Sequence, residues 1–473
     1  MGIDVTDEGP MTKDVEIMLG SPKKAVIKMA GPITVAIFAS SINGLIDAAW
    51  ISGLGPNALS AIGLLFPLFF ITVGVSSGIS VGASAAIARH IGAGSKDNAE
   101  RTASAALTLS VVTALIFSVS MLIIARPLMM VIGGADVIDE CMDYANVLFI
   151  FATAFFINTL MSSFLRSEGS ARRSMIVMVT SALLNLVLDP IFIYSSDGIF
   201  GFGLGLGMAG AALATAVSII ISTIPAFYWF FVKKDTYIRL RVGRPHFDRA
   251  ISKDIFRVGI PASVEYVAIS VAVLIMNMIL VTTALGTETV AIYSSGWRIF
   301  NIVMIPSLAI GAAVVPICAA AYGGRDVVKA KQAFMYSLRI STITMTALAV
   351  LLYIGADIMS RMFTYTDDME HLHGEITQFI RISCIFLPFV GFGIMSSSLF
   401  QSFGMGTKAL ISTTFRNFVS IPVAFVISLN GTLVDIWWGT AFMEIIGPAV
   451  VLVWCLLILR MLVRREAPGP ART

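Results

Sequence analysis

Charge is what this chain has least of. Only 13% of its 473 residues are charged and 57% are hydrophobic, whereas about a quarter of an ordinary soluble domain is charged. That deficit excludes a freely soluble enzyme of this length, and a net charge of only +3 leaves no basic surface for nucleic acid. Cysteine is scarce too. Cys141, Cys318, Cys384 and Cys455 lie far apart, with neither metal-ligand nor redox spacing, and are expected as small core residues. His371 and His373 share a polar loop, where solvation is the expectation. The helical metalloprotease pattern H-E-x-x-H is absent, as is the Walker loop that would signal direct ATP drive. Gly205-Leu206-Gly207-Met208-Ala209-Gly210 spells G-x-G-x-x-G, but no strand precedes it, so it predicts no dinucleotide cofactor. A membrane-embedded enzyme would want Asp, His or Cys clustered at one membrane face, and the acids here are dispersed.

What the chain has in excess is apolar length. Runs such as Ala103–Ala125 and Val258–Leu285 exceed the roughly 20 residues that span a bilayer as a helix. Residues 1–20 are polar and acidic, and the first apolar run is too long for a signal peptide, so Ala25–Ile51 is expected as a retained first span. Twelve spans follow, near 25–51, 58–88, 103–125, 141–165, 174–195, 208–232, 255–285, 289–317, 335–355, 376–400, 409–429 and 435–459. Pro32, Pro67, Pro261, Pro306 and Pro316 mark expected kinks. Of the 32 Lys and Arg, 28 fall on the amino-terminal segment, every second loop and the carboxyl tail. Three fall on the alternate loops, and Arg298 lies inside a span. Basic loops stay cytoplasmic, so both termini are expected there, in a multi-pass protein of the plasma membrane.

The basic loop Lys233–Arg257 divides the spans six and six, and the halves resemble each other. Ala30-Gly31-Pro32 answers to Gly259-Ile260-Pro261, and Leu54-Gly55-Pro56 to Leu285-Gly286-Thr287. Gly94-Ser95-Lys96-Asp97 answers to Gly323-Gly324-Arg325-Asp326, and Arg166-Ser167-Glu168-Gly169 to Gln401-Ser402-Phe403-Gly404. Six spans per half is an even number, so the repeats are parallel, related by an axis along the membrane normal. The expected organisation is an amino-terminal segment 1–24, a six-helix lobe 25–232, a linker 233–254, a second six-helix lobe 255–460 and a tail 461–473. Two such lobes around a cleft suit alternating access.

An ionised side chain at bilayer centre costs roughly 2.5–3.5 kcal/mol even on the lenient insertion scale, so each one calls for a reason. Asp47 lies 19 residues beyond Lys28, and Asp189 lies 16 beyond Arg173. At ~1.5 Å per residue both carboxyls stand roughly 24–28 Å above the cytoplasmic side. Ser40, Asn43, Asp47 and Trp50 form one polar stripe, and Ser181, Asn185 and Asp189 another; Tyr144, Phe151, Phe155, Asn158 and Ser162 keep the same rhythm on span 4. Serines and asparagines often bond helices together, but two carboxyls at one depth point to a coupling-ion site. They cannot both stay ionised without a cation, so the pair is expected to take up H⁺ or hold Na⁺. Arg298 and Glu444 lie at similar depth in the second half and are expected to form a structural ion pair. Glu265 is left without a role.

Asp47-Ala48-Ala49-Trp50-Ile51-Ser52-Gly53-Leu54-Gly55 with Ala58-Leu59-Ser60-Ala61, and Leu165-Arg166-Ser167-Glu168-Gly169 leading to Asn185-Leu186-Val187-Leu188-Asp189-Pro190, resemble the multidrug and toxic compound extrusion (MATE) family, in particular its DinF-like prokaryotic branch. The likeness runs from Ser21 to about Arg460. It implies an all-α integral membrane fold of twelve helices in two six-helix bundles related by pseudo-two-fold symmetry. It further implies a monomer that exchanges H⁺ or Na⁺ for small amphipathic, often cationic, compounds, without any other cofactor. In that branch the residues matching Asp47, Asn185, Asp189, Tyr144, Asn158 and Thr215 form an ion-coupling network, with Na⁺ an option at Asp47, Asn185, Asp189 and Thr215. Trp50 matches a cavity position, and Ser40, Asn43, Phe151 and Phe155 are expected beside it. Other branches place an acidic site on spans 7 and 10, where Glu265 is out of register and Phe386–Gln401 has no acid. The alternative is a flippase for lipid or lipid-linked oligosaccharide. It would favour several cations facing the cavity, and the spans offer only Arg298.

Overall fold

A computed structural model describes residues 11–132, 135–196, 202–240, 248–364 and 367–466. Parts of the expected amino-terminal segment (1–10), linker (241–247) and tail (467–473) lie outside the described residues. A short helix α1 (Lys13–Leu19) precedes the first lobe. That lobe comprises α2 (Pro22–Ser52), α3 (Pro56–Gly92), α4 (Lys96–Ile132), α5 (Ile138–Ile150) with α6 (Ala152–Ser167), α7 (Ala171–Ile193) and α8 (Gly207–Phe227). The second lobe comprises α9 (Arg249–Val281), α10 (Thr287–Val303) with α11 (Ile305–Gly323), α12 (Val327–Arg361), α13 (His373–Ser383) with α14 (Leu387–Ser402), α15 (Gly406–Phe418) with α16 (Ser420–Ser428), and α17 (Leu433–Glu466). Among the described residues ten helical stretches are long and apolar enough to cross a membrane, and two bent pairs, each taken as one span, bring the count to twelve.

Pro32, Pro67, Pro261 and Pro316 sit inside continuous helices, and Pro306 starts α11 just after a break at Met304. Two pronounced bends lie away from these prolines. α5 and α6 meet at 52° around Phe151, and α13 and α14 at 56°. These are the fourth spans of the two lobes, so the break is a property of the repeat. Turn geometry repeats as well. Gly55 and Gly286 both have positive φ, as do Gly169 and Gly404. At the third matched turn Gly94 (φ 69°) corresponds to Arg325 (φ 56°), two residues further along than the sequence match.

The lobes meet along two symmetry-related lines, α3 on α9 and α2 on α11. On α3, Gly74, Gly78 and Gly82 face Tyr266, Ser263, Gly259 and Ile255 of α9, and a methyl group at Gly78 or Gly82 would run into backbone carbonyls. Near the axis the contact is reciprocal: Gly92 lies on the Ala320 backbone and Gly323 on the Arg89 backbone. Arg89 then reaches across the divide, pairing with Asp254 at 2.7 Å and donating to the Ser402 carbonyl at 3.2 Å. Most of these contacts lie in the half of the molecule nearer α1 and the last turn of α17, hereafter the terminal end. α1 adds to them. Val15 and Met18 are buried, Asp14 accepts from Ser170 of the first lobe at 2.5 Å, and the Leu19 carbonyl accepts from Lys329 of the second.

Candidate functional site

α2 and α7 pack side by side, and their distal turns carry the two acids. Asn43 Nδ2 donates to Asn185 Oδ1 at 2.6 Å, and Asn185 Nδ2 donates to Asp189 Oδ1 at 2.6 Å and to Thr215 Oγ1 of α8 at 3.3 Å. The Asp47 carboxyl faces that of Asp189 within hydrogen-bonding reach, and the buried Tyr144 phenol of α5 lies in the field of both. Asp189 is fully buried and Asn185 nearly so. Among the described residues no lysine, arginine or histidine pairs with either acid. Asp47 Oδ1 and Asp189 Oδ2 are buried acceptors without a donor. Buried acceptors left unpaired are unfavourable, and two facing carboxyls without a fixed cation are completed by a proton or a small cation.

The structure thus brings Asp47, Asn185, Asp189, Thr215 and Tyr144 together. Asn43, expected on the cavity wall, belongs to this network instead, because its amide faces α7. Asn158 does not join it. Its amide donates to Ser222 Oγ at 3.1 Å and Thr223 Oγ1 at 2.8 Å, two turns along α8 from Thr215, since the bend at Phe151 separates it from Tyr144. Among the expected wall residues, Ser40 is exposed, Trp50 is half-buried, Phe151 sits at the bend and Phe155 packs on Phe69 with ring centroids 6.5 Å apart.

The expected Arg298–Glu444 pair does not form. The buried face of α10 runs through Thr289, Ile292, Gly296, Ile299 and Phe300, so helical phase turns Arg298 outward, where it is exposed. Glu444 faces Arg416 of α15 instead. Arg416 packs over Gly393 of α14, which leaves room for it, and also faces Glu265. Glu265, left without a role by the sequence, is partly buried. It receives long bonds of 3.5 Å from Ser397 and Gln401, and Thr413 donates to Ser397 at 3.3 Å. The sequence does carry a signal for Arg416: a lone cation seven residues beyond the expected start of the eleventh span at 409, near enough to that boundary to fall with the flanking loop.

Comparison with known proteins agrees with this architecture. The MatE family model matches residues 32–191 and 261–426. The multidrug export protein MepA of Staphylococcus aureus is 25% identical over 431 residues, covering 89% of this chain and 90% of MepA. Among solved structures, a MATE in complex with MaL6 superposes with a TM-score of 0.91 at 34% identity, covering 96% of this chain and 100% of the other. The outward-facing conformation of a multidrug resistance MATE family transporter of the MOP superfamily gives 0.91 at 33% identity, with the same coverage.

Proposed function

Since the chain belongs to the MATE family, we propose that it is a secondary active multidrug efflux antiporter, exchanging H⁺ for amphipathic, often cationic, organic compounds by alternating access. The observation that carries this reading is the Asp47–Asp189 pair, buried in one lobe with no cation of its own among the described residues. With the terminal end taken as cytoplasmic, the lobes are joined on the inside and the acids stand toward the outside. A proton arriving from there neutralises the pair and removes the reason for a substrate cation to stay. Asn185 and Thr215 fix the Asp189 carboxyl, and Trp50, Phe151, Phe155 and Ser40 form the wall on which an aromatic, apolar substrate rests. The Asn185 amide turns its nitrogen toward the pair and its oxygen toward Asn43. The amide oxygen is therefore not the one offered to the acids, and the H⁺ reading rests on the two facing carboxyls, of which one is neutralised by a proton.

The test is efflux from proteoliposomes under an imposed pH or Na⁺ gradient, comparing wild type with Asp47→Asn and Asp189→Asn. Gradient-driven efflux is expected with the pH gradient and not in either variant. Efflux retained by both variants overturns the site, and efflux driven only by Na⁺ overturns the choice of ion.

A further inference from the structure

The distal end of α7 is fastened on both sides. Its last carbonyls are taken up by a short loop: Leu204 N donates to Ile191 O at 2.8 Å and Leu206 N to Phe192 O at 3.0 Å. Tyr194 caps the helix in an extended conformation, with Gly205 N on its carbonyl at 2.9 Å. Its side chain therefore leaves a fixed frame. The phenol donates to the Trp50 carbonyl in the last turn of α2 at 2.6 Å, and its ring meets the Trp50 indole edge-on at 6.2 Å. Gly53 makes this possible, because a Cβ at that position would collide with the Tyr194 hydroxyl. Trp50 is three residues beyond Asp47, and Tyr194 is five beyond Asp189. The bond thus ties the two acid-bearing helices about one turn past the acids themselves.

We propose that Tyr194 is a positioning residue: its hydroxyl holds the distal end of α2 against α7, keeps Asp47 within reach of Asp189, and so sets the pH range over which efflux runs. This deepens the coupling-site reading and rests on it. The acceptor is a backbone carbonyl, so the tie is independent of the side chain at position 50 and depends on the phenol and on the missing side chain at Gly53. A proton shared by two carboxyls is released less readily than one held by either alone, so loosening the tie moves the working range toward acid.

Two variants break the bond from opposite sides. Tyr194→Phe removes only the hydroxyl, and Gly53→Ala displaces the phenol while leaving the tyrosine itself unchanged. In proteoliposomes both are expected to shift the pH of half-maximal efflux by half a unit or more toward lower pH, with the rate at each variant's own optimum within about twofold of wild type. A second readout is independent of transport. Nitroxide labels at Leu54→Cys and Ser196→Cys, both exposed, report the separation of the helix ends, the four native cysteines being buried. The distance distribution is expected to broaden in Tyr194→Phe. An unchanged pH profile and an unchanged distribution, with Asp47→Asn still abolishing gradient-driven efflux, overturn the role of Tyr194 and leave the coupling site standing. Efflux unaffected by Asp47→Asn overturns the coupling site and with it the pH-setting role. A profile shifted in Tyr194→Phe but not in Gly53→Ala overturns the assignment to this bond.

Discussion

The two lobes share one backbone plan and carry opposite chemistry. Each has a broken fourth span and turns of positive φ at matched places. In the first lobe the distal half holds two facing acids with no cation paired to them among the described residues. In the second the distal half is an aromatic mass. Phe379 meets Trp437 at 4.6 Å, Tyr293 stacks on Trp437 at 6.2 Å, and Trp297 stacks on Phe386 at 6.1 Å. The second lobe's acids, Glu265 and Glu444, both face Arg416. One lobe sets two acids against each other, and the other places its acids in the field of a shared guanidinium. A shared fold therefore says little about which half works: the side chains at corresponding depths decide.

The sharpest way to break that contrast is to neutralise each lobe in turn. Asp47→Asn or Asp189→Asn is expected to lower gradient-driven efflux at least about tenfold while leaving thermal stability in detergent unchanged or higher, because an unpaired buried carboxyl is costly. The reverse is expected in the second lobe. Arg416→Ala removes the cation in whose field both acids lie and should destabilise the protein by about 2 kcal/mol, read as a lowered melting temperature. The double variant Arg416→Ala with Glu444→Gln should recover part of that loss. An Arg416→Ala protein as stable as wild type would mean that the second lobe is not internally compensated.

A third difference lies at the terminal end. Glu168 of the first lobe corresponds to Phe403 of the second, which stacks on Tyr322 at 4.5 Å. Glu168 is buried just past α6 and accepts from Tyr237 N at 2.9 Å and Ile238 N at 3.3 Å. Burial pushes its carboxyl from 4.5 up to about 7, against the pull of those N–H groups and of Arg173. The folded chain then binds a proton that the unfolded chain releases between those two values. Its contribution is full below about pH 4.5 and is lost as pH rises through about 7. Glu168→Gln should therefore flatten the wild-type fall in melting temperature between pH 5 and 8, stabilising by about 2 kcal/mol at the upper end. Phe403→Leu should leave that slope alone.

The smallest expected effect concerns α1, which touches both lobes. Asp14→Ala removes its bond to Ser170 in the first lobe and should cost about 1 kcal/mol. Thermal unfolding would show the loss, and limited proteolysis would show earlier cleavage near Gly20.

The spans, the repeat and the acidic pair were legible because each departs from what oil tolerates: long apolar runs, basic loops on one side, and carboxyls at matched depth. Depth was readable by counting residues, but rotation about the helix axis was not. Arg298 has the depth to meet Glu444 and the wrong phase. Asn158 keeps the 3–4 rhythm of Tyr144 on paper, and the bend at Phe151, which no proline announces, sends it elsewhere. Arg416 was hidden by its position near an uncertain span boundary. Asn43 was seen as a polar stripe member, and only the approach of α7 turned it from wall to network.

The glycine contact between α3 and α9 has one more implication. Where Gly78 and Gly82 meet the Gly259 and Ile255 carbonyls, backbone lies on backbone, so acid or salt can act on this junction mainly at its terminal end, through the Arg89–Asp254 pair. Parting the junction would wet carbonyls that already hold their helical partners and would leave nothing orphaned on either surface. Such a junction re-forms without having to search for a fit, while any side chain introduced there would keep the two halves ajar.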